Sequence, residues 1–311
     1  MEISRISKKM TKENLLLITG ASGFVGTNLQ KYFKSTFKFE LLCLRFNSKL
    51  LFYFNEGAII HLAGKAHDKK NTSKPEEYYQ VNTELTKKVY DAFLASNAKV
   101  FIALSSVKAV ADDLNVELTE EHLPKPITHY GKSKLLAEQY IFSKSIPEGK
   151  RVYILRPCMI HGPGNKGNLN LLHNLVSKNI PWPLGAFDNR RSFCSIDNLM
   201  FIFQELIERE DIPSGIYNVA DDEPISTNEL IGLIAQSQNR SPKLWNISKK
   251  FIEGVASIGD KLQLPLNSER LQKLTSSYVV SNTKIKAAIG KPLPVSSREG
   301  LLKTFKSFNS K

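Results

Sequence analysis

Tyr130 and Lys134 are four positions apart in the segment that runs from Tyr130 to Glu138. On a helix, residues four apart share one face, so the two side chains lie side by side. A phenol with a pKa of about 10 is a poor base at neutral pH, but a neighbouring ammonium group favours the phenolate. We therefore expect the pKa of Tyr130 to be lowered and its phenol to give or take a proton.

The stretch Val100–Ser106 is predicted to be a strand that ends in two hydroxyl groups, those of Ser105 and Ser106. Open parallel sheets bind their ligands at the carboxyl ends of the strands. Ser106 is then placed to hydrogen-bond the substrate oxygen whose proton Tyr130 takes or gives. A surface tyrosine beside a solvated lysine is the alternative, and the neighbouring motifs disfavour it.

Residues 15–26 predict a strand, a glycine turn and a helix: apolar residues end at Ile18, and the glycines lead into an amphipathic segment. A diphosphate binds backbone N–H groups at a helix N-terminus, and glycines let the backbone approach it closely. An ordinary strand-to-helix turn is the alternative. The candidate dinucleotide-binding residues of this turn are Gly20, Ser22, Gly23, Phe24, Val25 and Gly26.

The next predicted strand, Glu40–Leu44, ends at Arg45. A carboxylate near this position holds the ribose hydroxyls of NAD, whereas an arginine suits the additional phosphate of NADP. Arg45 therefore favours NADP over NAD, and Asn47 is the nearest polar alternative. The following stretch, 46–57, is too short for a full strand–helix repeat, so this edge of the sheet is expected to be trimmed.

Ala58–Gly64 predicts another strand, whose small final residues suit a backbone that passes close to a cofactor. Leu62, Ala63 and Gly64 join the candidate cofactor-binding set, as do Ser105, Tyr130 and Lys134. Pro75 begins a helix with apolar residues at helical spacing, a pattern typical of a core or a dimer seam. Asn82 on that helix also belongs to the candidate cofactor-binding set, as a brace for the active-site backbone.

Arg151–Arg156 predicts a parallel strand that Pro157 closes. Two glycine- and proline-containing stretches follow, 162–168 and 181–185, and loops of this kind suit a substrate-binding lobe. Arg191 stands beside a short apolar strand, and its guanidinium fits phosphate oxygens. A salt bridge at the rim is the alternative for Arg191.

The pattern as a whole predicts an α/β fold, a Rossmann-type doubly wound parallel sheet with a smaller, partly interleaved C-terminal domain. Helices are expected at Asn198–Arg209 and at Asn228–Ser237, the second behind a capping box of Ser226 and Glu229. We expect a flexible leader at 1–13 and a dinucleotide-binding domain at 14–160, to which 192–210 returns. Residues 161–311 are expected to be mainly a substrate-binding domain.

Composition excludes several classes of protein. The 311 residues are 41% hydrophobic and 23% charged, and no apolar run approaches the length of a membrane span. The net charge of +13 comes mostly from scattered lysines, which favours a solvated surface over a nucleic-acid site or a contact with acidic lipid. Cys43, Cys158 and Cys194 are far apart and are expected to be reduced core residues in a cytoplasmic protein, with no metal site.

Together these segments resemble the extended short-chain dehydrogenase/reductase family, in the group named NAD-dependent epimerase/dehydratase, which acts on nucleotide sugars. The resemblance covers residues 14–240 and is carried by Gly20-x-x-Gly23-x-x-Gly26, His61-Leu-Ala-Gly64, Ser105-Ser106, Tyr130-x-x-x-Lys134, Arg156-Pro157 with Gly162-Pro163, and Arg191-Ser-Phe193 before Asp197. It implies that Ser106, Tyr130 and Lys134 form the catalytic set and that Arg191 holds the sugar-nucleotide diphosphate. It also implies a homodimer joined by a four-helix seam.

Two departures from the family pattern bear on the activity. Sugar-nucleotide 4,6-dehydratases carry an Asp-Glu pair where this chain has Val107 and Lys108, because eliminating water needs an acid and a base. Many 4-epimerases carry an asparagine where this chain has Met159. The resemblance therefore favours hydride transfer at C4 of a UDP-linked N-acetylated, 6-deoxy hexose by a 4-keto reductase.

Two alternatives to the reductase remain. One is a UDP-hexose 4-epimerase acting on UDP-glucose or UDP-GlcNAc, and a remote one is a non-catalytic sensor that binds NADP. The sensor is disfavoured because the catalytic set is retained. The candidate substrate-binding residues in all enzymatic versions are Lys65, His67, Lys108, Met159, Asn168 and Arg191.

Overall fold

The computed structural model describes residues 15–42, 57–66, 74–114, 116–165, 167–262 and 267–309. The predicted leader, Cys43, Arg45, Asn47 and His67 lie outside the described residues. The chain forms two compact units. Unit 1 is drawn from Met1–Val110, Pro124–Arg156 and Phe203–Ile216, and unit 2 from Ala111–Leu123, Pro157–Ile202 and Tyr217–Lys311.

A six-stranded sheet organises the fold, in the order β2-β1-β3-β4-β5-β8. Its strands are β1 (Leu15–Thr19), β2 (Lys38–Leu42), β3 (Ala58–His61), β4 (Val100–Leu104), β5 (Arg151–Pro157) and β8 (Gly215–Val219). Strands β1 to β5 pair in parallel. Because β1 lies between β2 and β3, the order reverses beside β1, and ligands of doubly wound sheets bind at such a switch point. The predicted fold class is confirmed.

The sequence explains why these strands form the core of unit 1. Strands β1, β3, β4 and β5 are buried along nearly their whole length, as expected of a parallel sheet that is covered on both faces. Their runs of leucine, isoleucine and valine therefore show no alternation. The second strand, predicted at 40–44, is observed two residues earlier, at Lys38–Leu42.

The helices around this sheet are α1 (Phe24–Phe33), α2 (Pro75–Tyr78), α3 (Leu85–Ala95), α4 (His129–Phe142) and α6 (Ile196–Glu208). Between α2 and α3, residues Tyr79–Glu84 form a π-helical turn within one continuous helical segment. Such a turn widens the helix by one residue and is frequent at functional sites. Here it brings Asn82 and Thr83 to the buried side of the segment.

Unit 2 has its own core, which includes Phe193, Ile234 and Phe305. Its elements are β6 (Met159–His161), β7 (Phe193–Ser195), α5 (Asn168–Ser177), α7 (Thr227–Ser237), α8 (Lys249–Leu262), α9 (Ser268–Thr275), α10 (Thr283–Ile289) and α11 (Ser297–Asn309). Strands β6 and β7 form a parallel pair. The predicted capping box is present, because Ser226 accepts from the Glu229 amide and the Glu229 carboxylate accepts from the Ser226 amide.

One sequence expectation in unit 2 is wrong. Asn168 was expected in a loop, but it is the exposed first residue of α5. The loop that the glycines at 162, 164 and 167 indicate ends at Gly167, which is the N-cap of that helix. Helix formation from Asn168 onwards follows from the apolar residues that the helix buries, Leu169 and Val176 among them.

Three further features bear on the class of protein. In the part of the chain that the structure describes, no helix is long and apolar enough to cross a bilayer. The same residues contain no cluster of three or more histidine, cysteine or acidic side chains that could hold a metal ion. Cys158 and Cys194 are buried thiols, and burial raises the pKa of the Cys194 thiol well above its usual value.

Candidate active site

The glycine turn after β1 is shaped by close backbone contacts. Gly20 has φ +69°, and a Cβ on it would lie 2.6 Å from the Ala63 backbone nitrogen. A Cβ on Gly26 would lie 2.6 Å from the Gly20 carbonyl oxygen. Only glycine fits these two positions, because side chains there would collide with backbone. The two glycines therefore allow the loop after β1 to approach the loop after β3 and the start of α1 closely.

The first turn of α1 is arranged to accept an anion. Gly23 is its N-cap, donates its amide to the Gly20 carbonyl at 3.0 Å, and caps the helix with no side-chain hydrogen bond. The amides of Phe24 and Val25 belong to the group of N-terminal N–H donors that a helix leaves for side chains, water or ligands. The predicted residues Ser22 and Gly23 are exposed there. These residues fit the diphosphate of a dinucleotide.

The strand end after β3 passes beside the catalytic helix. A Cβ on Gly64 would lie 3.0 Å from Lys134 Nζ and 3.2 Å from Asn82 Oδ1. Leu62 donates its amide to the Thr19 carbonyl at 3.1 Å, which continues the pairing of β1 with β3 beyond the strand ends. Gly64 therefore packs tightly against the Lys134 side chain of α4, and a larger residue there would displace Lys134 or Asn82.

Helix α4 carries Tyr130 and Lys134 and begins next to the residues that follow β4. Thr128 caps the helix by accepting from the Gly131 amide at 3.2 Å. A Cβ on Gly131 would lie 2.3 Å from the Lys108 carbonyl oxygen, so only glycine allows α4 to approach this segment. That approach brings Tyr130 within hydrogen-bonding reach of Ser106. Sequence reasoning missed Gly131, although its place between Tyr130 and Lys134 was a signal.

The electrostatics of the pair differ from the expectation. Burial raises the pKa of Tyr130 above its ordinary value, and the hydrogen bond with Ser106 offsets only part of that rise. The expected lowering of the Tyr130 pKa by Lys134 is wrong for this structure. Lys134 donates from Nζ to the Leu104 carbonyl at 2.8 Å. Burial lowers the pKa of Lys134 to about 8, against the attraction of Glu138, which raises it.

Asn82 ties the backbone that follows β3 to helix α4. Its Oδ1 accepts from the Lys65 amide at 2.8 Å, and its Nδ2 donates to the Lys65 carbonyl at 3.0 Å and to Ser133 Oγ at 2.9 Å. Thr83, the next residue, donates to the Ser133 carbonyl at 2.8 Å. Asn82 and Thr83 are consecutive residues of the π-helical turn, and both side chains contact Ser133 of α4. The bracing expected of Asn82 is observed.

His61 connects this brace to the glycine turn. Ala63 donates its amide to Thr19 Oγ1 at 3.1 Å, and Thr19 Oγ1 lies 2.8 Å from His61 Nδ1. On the other side, His61 Nε2 lies 2.9 Å from Thr86 Oγ1, which donates to the Asn82 carbonyl at 2.7 Å. These partners require a neutral ring with its proton on Nε2. Burial, with the nearby charge of Lys134, lowers the pKa of His61 to about 3.

The hydroxyl of Ser105, a candidate cofactor-binding residue, has a partner within the protein. Its hydroxyl donates to the carboxylate of Glu138, which is also bound by the guanidinium of Arg156, and all three side chains are buried. Its amide donates to the Leu155 carbonyl at 2.7 Å. The Ser105 hydroxyl therefore ties the end of β4 to α4, while Ser106 is the hydroxyl beside Tyr130. Sequence reasoning assigned no role to Glu138.

The candidate substrate residues divide between the two units. In unit 1, Lys65 forms an ion pair with Glu77, and Lys108 donates its amide to Ser106 Oγ at 3.2 Å. In unit 2, Met159 and Asn168 are exposed at the starts of β6 and α5. His67 lies outside the described residues.

Arg191 has a structural task in unit 2. Its Nε donates to the Ser276 carbonyl at 3.0 Å, and its Nη2 donates to the Lys273 carbonyl and to Ser276 Oγ. These are the last residues of α9 and the residue that follows it, so the guanidinium binds the carbonyl end of a helix. If Arg191 also binds the diphosphate of a sugar nucleotide, as the sequence predicts, it must do so while it holds the end of α9.

The fold combines a parallel sheet, a glycine turn at its switch point, a serine after the end of β4, and a tyrosine and a lysine four residues apart on α4. This combination defines an enzyme of the short-chain dehydrogenase/reductase type. The sequence matches the model of the NAD-dependent epimerase/dehydratase family over residues 16–220. The chain therefore belongs to that family of nucleotide-sugar epimerases and reductases.

Two curated relatives illustrate the range of this family. A UDP-glucose 4-epimerase of Vibrio cholerae is 29% identical and covers 97% of this chain and 97% of its own length. A GDP-6-deoxy-D-mannose reductase of Pseudomonas aeruginosa is 27% identical over 71% of this chain and 79% of its own length. The chain is thus similar both to epimerases and to reductases.

Solved structures share the fold. MoeE5 in complex with UDP-glucose and NAD superposes with a TM-score of 0.71 at 18% identity, covering 95% of this chain and 98% of that chain. The RMD protein from Pseudomonas aeruginosa complexed with NADPH superposes with a TM-score of 0.70 at 21% identity, covering 96% of this chain and 100% of that chain. At these identities the likeness concerns the fold.

Proposed function

We propose that this protein is a 4-epimerase of a UDP-linked hexose, with hydride transfer at C4 of the sugar. The observation that carries the proposal is the set of Ser106, after β4, with Tyr130 and Lys134 on α4, in a chain that aligns over almost its full length with a UDP-glucose 4-epimerase. Among solved structures, MoeE5 was determined with UDP-glucose and NAD, which supports the same class of substrate.

The side chains of unit 1 account for the proton transfer. A bound nicotinamide dinucleotide supplies reversible hydride transfer at the sugar carbon. Tyr130 takes the proton of the C4 hydroxyl and later returns it, and Ser106 hydrogen-bonds the same oxygen. Lys134, with a pKa of about 8, is mainly an ammonium group at neutral pH. It does not lower the pKa of Tyr130 in this structure, and we propose that its positive charge stabilises the phenolate that forms while the substrate is bound.

For the cofactor we propose NAD or NADP, held by the glycine turn. Structural neighbours were solved with NAD and with NADPH. Gly20, Gly23 and Gly26 provide the close approach that a diphosphate needs in either case. Arg45, which favours NADP on sequence grounds, is a residue whose replacement by aspartate would test that preference.

The second candidate is a 4-keto reductase of a UDP-linked, N-acetylated 6-deoxy sugar. Val107 and Lys108 in place of an acid pair, and Met159 in place of asparagine, favour it. The GDP-6-deoxy-D-mannose reductase of Pseudomonas aeruginosa is a relative with reductase activity in its name. The two candidates use the same catalytic side chains and differ in the fate of the hydride, which returns to the sugar in an epimerase and is consumed in a reductase.

The deciding experiment measures both outcomes with one preparation. The protein is incubated with UDP-glucose or UDP-GlcNAc and a trace of NAD, and the C4 epimers are separated by anion-exchange chromatography. In parallel, NADPH absorbance is followed with a UDP-linked 4-keto 6-deoxy sugar. We expect epimers without net cofactor consumption. Stoichiometric loss of NADPH without epimer formation would favour the reductase over the epimerase. If neither epimers nor NADPH consumption were observed, both candidate functions would be excluded for these substrates.

The quaternary structure and location belong to the same proposal. We propose a homodimer in the cytoplasm, joined through a four-helix seam of α3 and α4. The apolar side chains of Leu136 and Phe142 on α4 are exposed in the single chain, which supports a partner on that helix. Unit 2 is proposed to bind the sugar nucleotide.

A further inference from the structure

Helix α8 of unit 2 has two neighbouring apolar faces, and only one of them is buried. Ile252, Ala256 and Gly259 are buried against the unit. Phe251, Val255, Ile258 and Leu262 recur at positions i, i+4, i+7 and i+11, and all four are exposed. We call these four residues the α8 stripe. The exposed fractions of Phe251, Ile258 and Leu262 are 63%, 55% and 65%, so the described residues of unit 2 leave the stripe largely uncovered.

The charges of α8 are segregated around this stripe. With about 100° per residue, Lys250 and Lys261 lie about 100° from the centre of the stripe, on its outer border. Glu253 and Asp260 lie about 170° away, on the opposite side of the helix. Asp260 is also engaged, because it accepts hydrogen bonds from the amide and hydroxyl of Ser268. Lys249 lies about 150° from the centre of the stripe, on the side of the acidic residues. Of the five charged residues of α8, the two nearest to the apolar stripe are therefore both lysines.

This pattern matches one kind of partner. A helix with a strongly polar face, lysines at its border and phenylalanine or leucine on the other face lies in the plane of a membrane surface. The lysines contact anionic headgroups while the apolar side chains enter the acyl boundary. With 14 residues and five charged side chains, α8 cannot span a bilayer, but its length suits an interfacial position.

We propose that the α8 stripe docks this protein reversibly on a membrane surface rich in anionic lipid. Phe251, Ile258 and Leu262 insert at the boundary of headgroups and acyl chains, and Lys250 and Lys261 contact the phosphates. A single helix of this kind supports reversible attachment, because both the buried apolar area and the number of contacting charges are small. The docking is independent of which sugar nucleotide the enzyme uses.

The test is sedimentation of the full chain with vesicles. One vesicle preparation contains phosphatidylcholine alone, and the other contains equal parts of phosphatidylcholine and phosphatidylglycerol. We expect binding to the anionic vesicles that weakens as salt is raised. The double variant Phe251→Glu/Ile258→Glu should bind at least about tenfold more weakly, because two inserted side chains are lost. Lys250→Glu/Lys261→Glu should also weaken binding, by about fivefold for each positive charge removed.

Matched controls separate the stripe from general charge and general hydrophobicity. Lys38→Glu/Lys125→Glu makes the same change in net charge at exposed positions of unit 1, and Leu171→Glu replaces an exposed apolar residue of α5. Both controls should bind like the parent chain. Circular dichroism melting verifies that every variant is folded.

Three results would overturn the proposal. One is failure of the parent chain to bind anionic vesicles. Another is equal loss of binding in the stripe variants and the controls. The third is a concentration-dependent self-association that Phe251→Glu/Ile258→Glu abolishes in the absence of any vesicle binding, because the stripe would then be an interface between two copies of the chain.

Discussion

Arg156 holds the carboxylate of Glu138 in a buried ion pair directly beneath the catalytic helix. The Arg156 Nη2 atom is 2.5 Å from Oε2, and Nε is 3.1 Å from both carboxylate oxygens. Both residues are 3% exposed. Because Glu138 lies on α4 four residues beyond Lys134 and Arg156 lies on β5, the pair fixes the catalytic helix against the sheet. It also places a negative charge near the ammonium group of Lys134.

Replacement of Glu138 by glutamine should affect stability and catalysis separately. The free energy of unfolding should fall by about 3–5 kcal/mol, since Arg156 keeps a buried charge without its partner. The pKa of Lys134 should also fall, because the carboxylate that raises it is gone. Lys134 acts as an ammonium group, so activity is lost as the pH rises through its pKa. The alkaline limb of kcat/KM against pH should therefore move to lower pH.

Arg156→Gln is the matched control for this electrostatic effect. It breaks the same ion pair and should cost a similar free energy in urea unfolding, but it leaves the carboxylate of Glu138 in place. Its alkaline limb should not move to lower pH. If both variants shift the limb in the same direction, the charge of Glu138 does not tune Lys134, and the pair has only a structural role.

Tyr130→Phe should remove the proton transfer while leaving the fold intact. We expect kcat to fall by about 10²- to 10⁴-fold, the range that a positioned acid or base contributes. Binding of the dinucleotide, measured by fluorescence titration, should change little because the glycine turn is untouched. Tyr140→Phe, on the same helix, removes a phenol that hydrogen-bonds Asp91 and should keep full activity. A Tyr130→Phe enzyme with unchanged kcat would exclude the phenol as the proton donor.

Local sequence patterns predicted the framework of this site because its elements are locally encoded. The apolar runs at 15–18, 58–60 and 152–155 form central strands, and Tyr130 and Lys134 lie on one helix as their spacing indicates. Gly20 and Gly26 are required by contacts within their own turn or with the adjacent strand end. Such contacts recur in this fold, so the spacing of the glycines predicts them.

The electrostatics could not be predicted in the same way, because they depend on burial by distant segments. The pKa of Tyr130 is raised because the folded chain excludes water from the phenol, which no local pattern encodes. Ser105 and Glu138 are 33 positions apart, and Arg191 meets the end of α9 more than 80 positions later. Local spacing does not reveal partners this far along the chain. The sequence therefore predicts a cofactor contact for Ser105 and a diphosphate contact for Arg191, but not their hydrogen bonds within the protein.

Gly20→Ala should destabilise the protein and weaken dinucleotide binding together. The left-handed backbone costs a side chain about 1–2 kcal/mol, and the collision with Ala63 adds an overpacking cost of about 1–3 kcal/mol. Gly149→Ala is the matched control, since Gly149 has φ +73° but a Cβ there would meet only Lys99 Nζ at 3.9 Å. Urea unfolding should show the larger loss for Gly20→Ala. Equal losses of unfolding free energy in the two variants would mean that the collision of the Gly20→Ala side chain with Ala63 is relieved at no measurable energetic cost.

His61 should make the stability of the protein depend on pH. Its pKa is about 3 in the folded chain, against an ordinary value of 6.5, so the unfolded chain binds an additional proton between these values. The stabilisation is complete above pH 6.5 and is lost as the pH falls toward 3, by up to about 1.4 kcal/mol per pH unit. Protonation of Nδ1 would also break the hydrogen bond that the ring accepts from Thr19.

His61→Gln isolates this contribution because glutamine does not titrate. The variant should be less stable than the parent at pH 7.5, since it cannot reproduce both hydrogen bonds to Thr19 and Thr86. Between pH 7.5 and pH 5, however, its free energy of unfolding should fall less than that of the parent. The difference between the two slopes cancels all other titrating groups. Equal slopes would show that His61 takes up its proton as readily in the folded chain as in the unfolded chain, so that the ring is not held neutral by its two threonine partners.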